Sequence, residues 1–92
     1  MNKKKIRKLK QRLARLRNQV ADMKRQKLVS FAQAVGRERI DRGGEPTYIS
    51  TLLPYSRPIS IPGHSTINKF VAGNILDALE RDILELEEKL PN

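Results

Sequence analysis

An α+β fold, in which helices pack on a three-stranded antiparallel sheet preceded by a long basic helix, follows from three observations. The two ends of the chain carry apolar residues at helical spacing. The segment between them alternates apolar and polar residues as half-buried strands do, and glycines and prolines punctuate that alternation. With 92 residues, 38% of them apolar and none of them tryptophan, the core of such a domain is small.

The N-terminal stripe is Ile6, Leu9, Leu13, Leu16, Val20 and Met23, spaced 3-4-3-4-3 in a segment without Gly or Pro. That is a heptad seam on a strong helix former, and it predicts a helix that begins at Lys3 or Lys4 and runs for about six turns or more. After Met23 the stripe changes phase to Leu28, Phe31, Ala32 and Val35. The helix is expected to continue to about Val35, turning this second face to the strands, and to stop at Gly36.

Residues 37–42, RERIDR, read as a first strand with Ile40 pointing inward and the charges on the other face. Residues 47–52 and 58–61 form the arms of a hairpin, joined through 53–57, where Pro54 suits a turn. A turn centred near Tyr55 pairs residues equidistant from it. It places Glu45 and His64 at the same open end, within about one residue of register, beside Arg42, Gly43 and Gly44.

Ser65 or Asn68 can cap the helix that follows, over 70–90, whose stripe is Leu76, Leu79, Ile83, Leu86 and Leu90, with Pro91 ending it. The division expected is therefore 1–27, a basic amphipathic heptad helix, and 28–92, a small α+β domain ending in an acidic heptad helix.

The net charge of +9 is unevenly placed. Residues 1–27 hold twelve Lys and Arg against Asp22 alone, net +11, whereas 75–92 hold two basic residues against six acids, net −4. Two heptad helices of opposite charge invite pairing, either in cis as an antiparallel hairpin or in trans as a homodimer. Neutralising the whole acidic tail would still leave the first helix positive, so a phosphate-rich partner is expected.

No cysteine and a single histidine exclude a disulfide framework and give no basis for a metal site, and no cofactor is expected. No apolar run approaches the roughly 20 residues that cross a bilayer, and the N-terminus lacks the apolar segment of a signal peptide. A soluble, cytoplasmic chain is expected. The basic stripe has neither Trp nor Phe, which argues against a membrane-surface helix.

Four words in order carry a family resemblance: Phe31-Ala32-Gln33-Ala34-Val35-Gly36-Arg37, Arg42-Gly43-Gly44-Glu45-Pro46-Thr47-Tyr48, Arg57-Pro58-Ile59-Ser60-Ile61-Pro62-Gly63-His64 and Ala72-Gly73-Asn74-Ile75-Leu76. Their order and spacing, over roughly 28–86, resemble the HicA family, the toxins of HicAB toxin–antitoxin pairs. The resemblance implies a double-stranded-RNA-binding-domain-like α-β-β-β-α fold, ribosome-independent mRNA cleavage and a HicB-type antitoxin as partner. It also implies a catalytic histidine in the element that here reads Glu45-Pro46.

Metal-free RNA cleavage needs a base for the 2′-hydroxyl and an acid for the leaving oxygen, and proline supplies neither. Either the chain is an RNA-binding relative without nuclease activity, or Glu45 as base and His64 as acid have taken over, with Arg42 or Arg57 stabilising the phosphorane. The expected RNA contacts are Lys3, Lys4, Lys5, Arg7, Lys8, Lys10, Arg12, Arg42, Tyr48 and Arg57, with Tyr48 and Tyr55 the two tyrosines available to stack on an unpaired base. The competing expectation is a non-enzymatic basic coiled-coil protein that assembles with a nucleic acid or a larger particle.

Overall fold

The computed structural model of the chain describes residues 1–42 and 44–91, the side chains of Asp41 and Arg42 excepted. The order is α1 (Lys3–Asn18), a 3₁₀ turn (Val20–Asp22), β1 (Met23–Lys24), α2 (Arg25–Ala34), β2 (Arg37–Arg42), β3 (Glu45–Ser50), β4 (Ile59–Ser60), β5 (Thr66–Ile67) and α3 (Lys69–Glu88). Strands β2, β3 and β4 form an antiparallel sheet in that order, and β1 pairs with β5 in a separate two-stranded ribbon. The fold is α+β, with three helices and a three-stranded antiparallel sheet.

Helix α1 begins where Asn2 accepts the Lys5 N–H on its side-chain oxygen at 2.9 Å. It ends at Asn18, well short of the continuous helix to Val35 that the pattern predicts. The phase change after Met23 is resolved by a break: the 3₁₀ turn and β1 redirect the chain, so that each stripe meets its own partner. Met23 is fully buried and pairs with Ile67, while Leu28, Phe31, Ala32 and Val35 enter the core from α2. Gly36, at φ +103°, then ends the helix in a conformation that L side chains avoid.

Ile6, Leu9, Leu13 and Leu16 of α1 are all buried, and α1 lies along α3. Lys10 bonds Glu87, and Arg17 meets Asp77 and Glu80, so the two helices run antiparallel. The cis arrangement is the one adopted. Four large apolar side chains taken from water contribute about 1.5 to 3 kcal/mol each, whereas the exposed ion pairs contribute about 0 to 1 kcal/mol each and chiefly set direction. A boundary at residue 27 would fall inside α2, and the side chains on both sides of it share one core. The seam expected for a homodimer through these helices is occupied within the chain.

Strand β2 spans the six residues expected, but with the opposite face inward. Register pairs Arg39 with Tyr48 and Ile40 with Thr47. Tyr48 is buried, so Arg37 shares its inner face and is 2% exposed, while Ile40 sits half-buried on the outer face beside Ile49. The inward arginine wins because α3 supplies Asp82: Arg37 Nε donates to Oδ2 at 2.7 Å and an Nη to Oδ1 at 2.9 Å. Its remaining donors meet the carbonyls of Tyr48 and Arg57 and the Ser56 hydroxyl, and Ser56 donates in turn to Asp82. This network ties β2, β3 and the 51–58 loop to α3.

Strand β3 starts two residues earlier than the pattern places it, and β4 is short. Helix α3 is capped by Asn68, whose side-chain oxygen accepts the Phe70 N–H at 2.8 Å. Its buried positions include Ile75, Leu76, Leu79, Ile83 and Leu86, the expected stripe broadened toward the sheet.

Candidate nucleic-acid interface

The hairpin mouth is assembled differently from the expected arrangement. Thr47 lies opposite Ser60 and the Ile61 N–H donates to the Pro46 carbonyl at 3.1 Å, so continuing the register sets Glu45 against Pro62, not His64. Beyond Pro62 the chain leaves the sheet. Arg25 holds it there, its Nε donating to the Pro62 carbonyl at 2.8 Å and its backbone N–H to the Ser65 carbonyl at 2.9 Å. His64 therefore follows the loop toward β1 and β5. Glu45 and His64 are both exposed, and no hydrogen bond or ion pair joins them among the described residues.

Tyr48 does not offer a stacking surface. Its ring is 1% exposed and its hydroxyl accepts from Arg25 at 3.3 Å, so it belongs to the core and corrects the expectation of a base contact. Tyr55 is the tyrosine that lies open, 98% exposed on the 51–58 loop. Arg57 is exposed, with its carbonyl engaged by Arg37. The side chain of Arg42, and Gly43, lie outside the described residues.

The basic residues of α1 separate into two sides of the helix. Lys10 and Arg17 face α3 and are matched by its carboxylates. On the opposite flank Lys4, Lys8, Arg12 and Arg15, spaced 4-4-3, fall in one row, because residues three and four apart stack along a helix. Together with Lys5 they line an open groove of about 710 Å³ that reaches Ala34 of α2 and has no acidic residue in its wall. Helix α2 has no acid either.

Within that groove Arg12 is fixed. Its guanidinium carbon lies 5.5 Å from the centre of the Phe31 ring and an Nη donates to Ser30 at 2.9 Å, which anchors the wall without removing the charge. Arg15 is a residue that reading the basic run from its N-terminal end leaves out; the row spacing is the signal that would have found it. Lys3 and Arg7, by contrast, line a different depression beside Lys10 and Glu87.

What this arrangement can do is hold phosphates. Several cations in a row, with no carboxylate between them, suit successive phosphates of a nucleic-acid backbone and carry no base-specific geometry. Among the described residues no group of three or more His, Cys, Asp or Glu side chains is placed to hold a metal ion, and no helix is long and apolar enough to cross a membrane. No family model, curated protein or solved structure matches this chain.

Proposed function

We propose that this chain is an RNA-binding domain of the HicA kind, which grips the phosphate backbone through the α1 flank formed by Lys4, Lys5, Lys8, Arg12 and Arg15. The observation that carries the reading is the groove between α1 and α2, whose charged residues are all basic. RNA is preferred over DNA because the element order from α2 to α3 is α-β-β-β-α apart from the short β5, the order expected of a double-stranded-RNA-binding-domain-like fold, and the HicA-like words fall within it. Such folds recognise shape and backbone more than sequence. A HicB-type antitoxin belongs to the same reading.

Cleavage is not part of the proposal. The strand pairing expected to bring Glu45 and His64 to one phosphate is not the one formed, because Glu45 lies against Pro62. Binding of a labelled RNA duplex, followed by fluorescence anisotropy over a series of salt concentrations, tests the reading. The logarithm of the affinity should fall linearly with the logarithm of salt, and Lys8→Ala or Arg15→Ala should each flatten that slope by about 0.7 to 0.9. Affinity that ignores salt would refute it. Metal-free cleavage of the same RNA, lost in both Glu45→Gln and His64→Ala, would overturn the assignment of these two residues as bystanders.

A further inference from the structure

Phe70 is a large apolar side chain left in solvent at the rim of a cavity. It is 71% exposed, whereas Phe31, the other phenylalanine of the chain, is fully buried. Standing in α3, it lines a depression of about 460 Å³ together with Val20 of the 3₁₀ turn, a size within the range of small-ligand sites. This depression shares no residue with the basic groove between α1 and α2.

Gly73 and Asn74 follow Phe70 by three and four residues, which puts them on the same face of the helix, and both line the depression. Glycine weakens a helix interior relative to alanine, and the fold itself supplies no reason for one here. The backbone of Gly73 has no positive φ, and the space where a side chain would stand is empty to 4 Å. What the missing side chain does is open the wall of the depression, so that a flat group can approach the backbone closely. Asn74 adds an exposed carboxamide without a hydrogen-bond partner among the described residues.

The charges around the ring favour an anion. Lys69 Nζ lies 5.2 Å from the centre of the Phe70 ring and makes no ion pair among the described residues. Asp77, the carboxylate of the wall, is held by Arg17 at 2.9 Å, which compensates its charge. A ring to stack on, a wall bared of its side chain, a free carboxamide and an adjacent cation match a planar base joined to a phosphate. Adenine suits the carboxamide best, since an asparagine can donate to N7 and accept from N6 on one edge of that base.

We propose that this depression is a nucleotide site, in which an adenine base stacks on Phe70 beside Gly73, Asn74 bonds the base edge and Lys69 takes the phosphate. The site is separate from the basic groove and does not rest on the RNA reading. Its ligand is either a free nucleotide or an unpaired residue of an RNA strand, and both present the same chemistry. NMR titration of the full chain with adenosine 5′-monophosphate, and separately with a single-stranded oligoadenylate RNA, tests it. The Phe70 ring protons are assigned by their loss in Phe70→Leu, a change in solvent that leaves the core intact. They should move upfield and saturate as the base stacks on them. Movement with the mononucleotide identifies a free nucleotide as sufficient, and movement with the strand alone identifies an unpaired residue of RNA.

Read from the adenine protons, Phe70→Leu should weaken binding by about tenfold or more, and Phe70→Tyr should restore it. Gly73→Ala should raise the melting temperature while weakening binding, a pair of opposite changes that a merely structural glycine does not give. Ribose 5-phosphate, which has no base, should leave the ring protons where they are. Ring protons that move with neither adenine probe, or move equally with ribose 5-phosphate, would overturn the proposal. So would a Phe70→Leu variant that binds as the wild type does, or a Gly73→Ala variant that gains stability and keeps its affinity. An RNA strand that binds while the Phe70 signals stay in place would refute this site and leave the groove reading standing.

Discussion

At Arg37 each of the five guanidinium N–H groups has an acceptor: both oxygens of Asp82, the Ser56 hydroxyl and two backbone carbonyls. Such a site tolerates loss of either partner badly, because the survivor is left charged in a place with no water. Asp82→Ala should cost about 3 to 5 kcal/mol of unfolding free energy. Arg37→Lys should also destabilise, since an ammonium cannot reproduce the planar fork that reaches Asp82 and the two carbonyls together. Urea denaturation measures both, and a loss below about 1 kcal/mol for Asp82→Ala, the size expected of a surface pair, would contradict this account. The inward arginine was not legible in β2, where Ile40 is the one apolar residue and the alternation favours it. The signal lay in α3, where Asp82 interrupts the row of buried Leu79, Ile83 and Leu86. An acid inside an apolar stripe asks for a buried partner.

Among the elements, the α1–α3 pair shows how apolar and ionic contributions divide. Leu13 is buried and Arg17 is partly exposed, and both line the same depression beside Ile83 and Glu80. Leu13→Ala should cost about 2 to 5 kcal/mol, through lost burial and the cavity left behind. Arg17→Ala should cost less than about 1 kcal/mol, although it breaks two ion pairs. Thermal unfolding of the two variants side by side checks the ordering, and equal shifts would mean that charge, not packing, holds α1 in place. The heptad spacing made both stripes legible, and the opposite charges made their pairing legible. The break at residues 19–24 was not, because it contains neither Gly nor Pro. Its cause is tertiary: a single straight helix would have presented its two out-of-phase stripes to different sides and left one of them in water. The ribbon of β1 and β5 is two residues long on each side, too short to leave a periodic trace in sequence.

For the molecule as a whole, the placement of α1 on α3 turns a uniformly basic segment into a two-sided one. The net +11 of residues 1–27 is a property of composition, but the field a polyanion meets depends on which cations already have a carboxylate beside them. Lys10 has Glu87 at 2.7 Å, whereas Lys8 stands in the groove wall that contains no acid. An RNA phosphate near Lys8 displaces only a counterion. One near Lys10 would have to compete with Glu87 and would approach its negative charge. Lys8→Ala should therefore flatten the salt dependence of RNA binding by about 0.7 to 0.9, one phosphate contact, while Lys10→Ala should leave it nearly unchanged. Anisotropy titrations of the two variants over the same salt series provide the comparison. If both variants flatten the slope equally, the acidic helix does not partition the basic one, and RNA is attracted by total charge alone. If Lys10→Ala has the larger effect, the RNA lies on the α3 side, and the groove between α1 and α2 is not the interface.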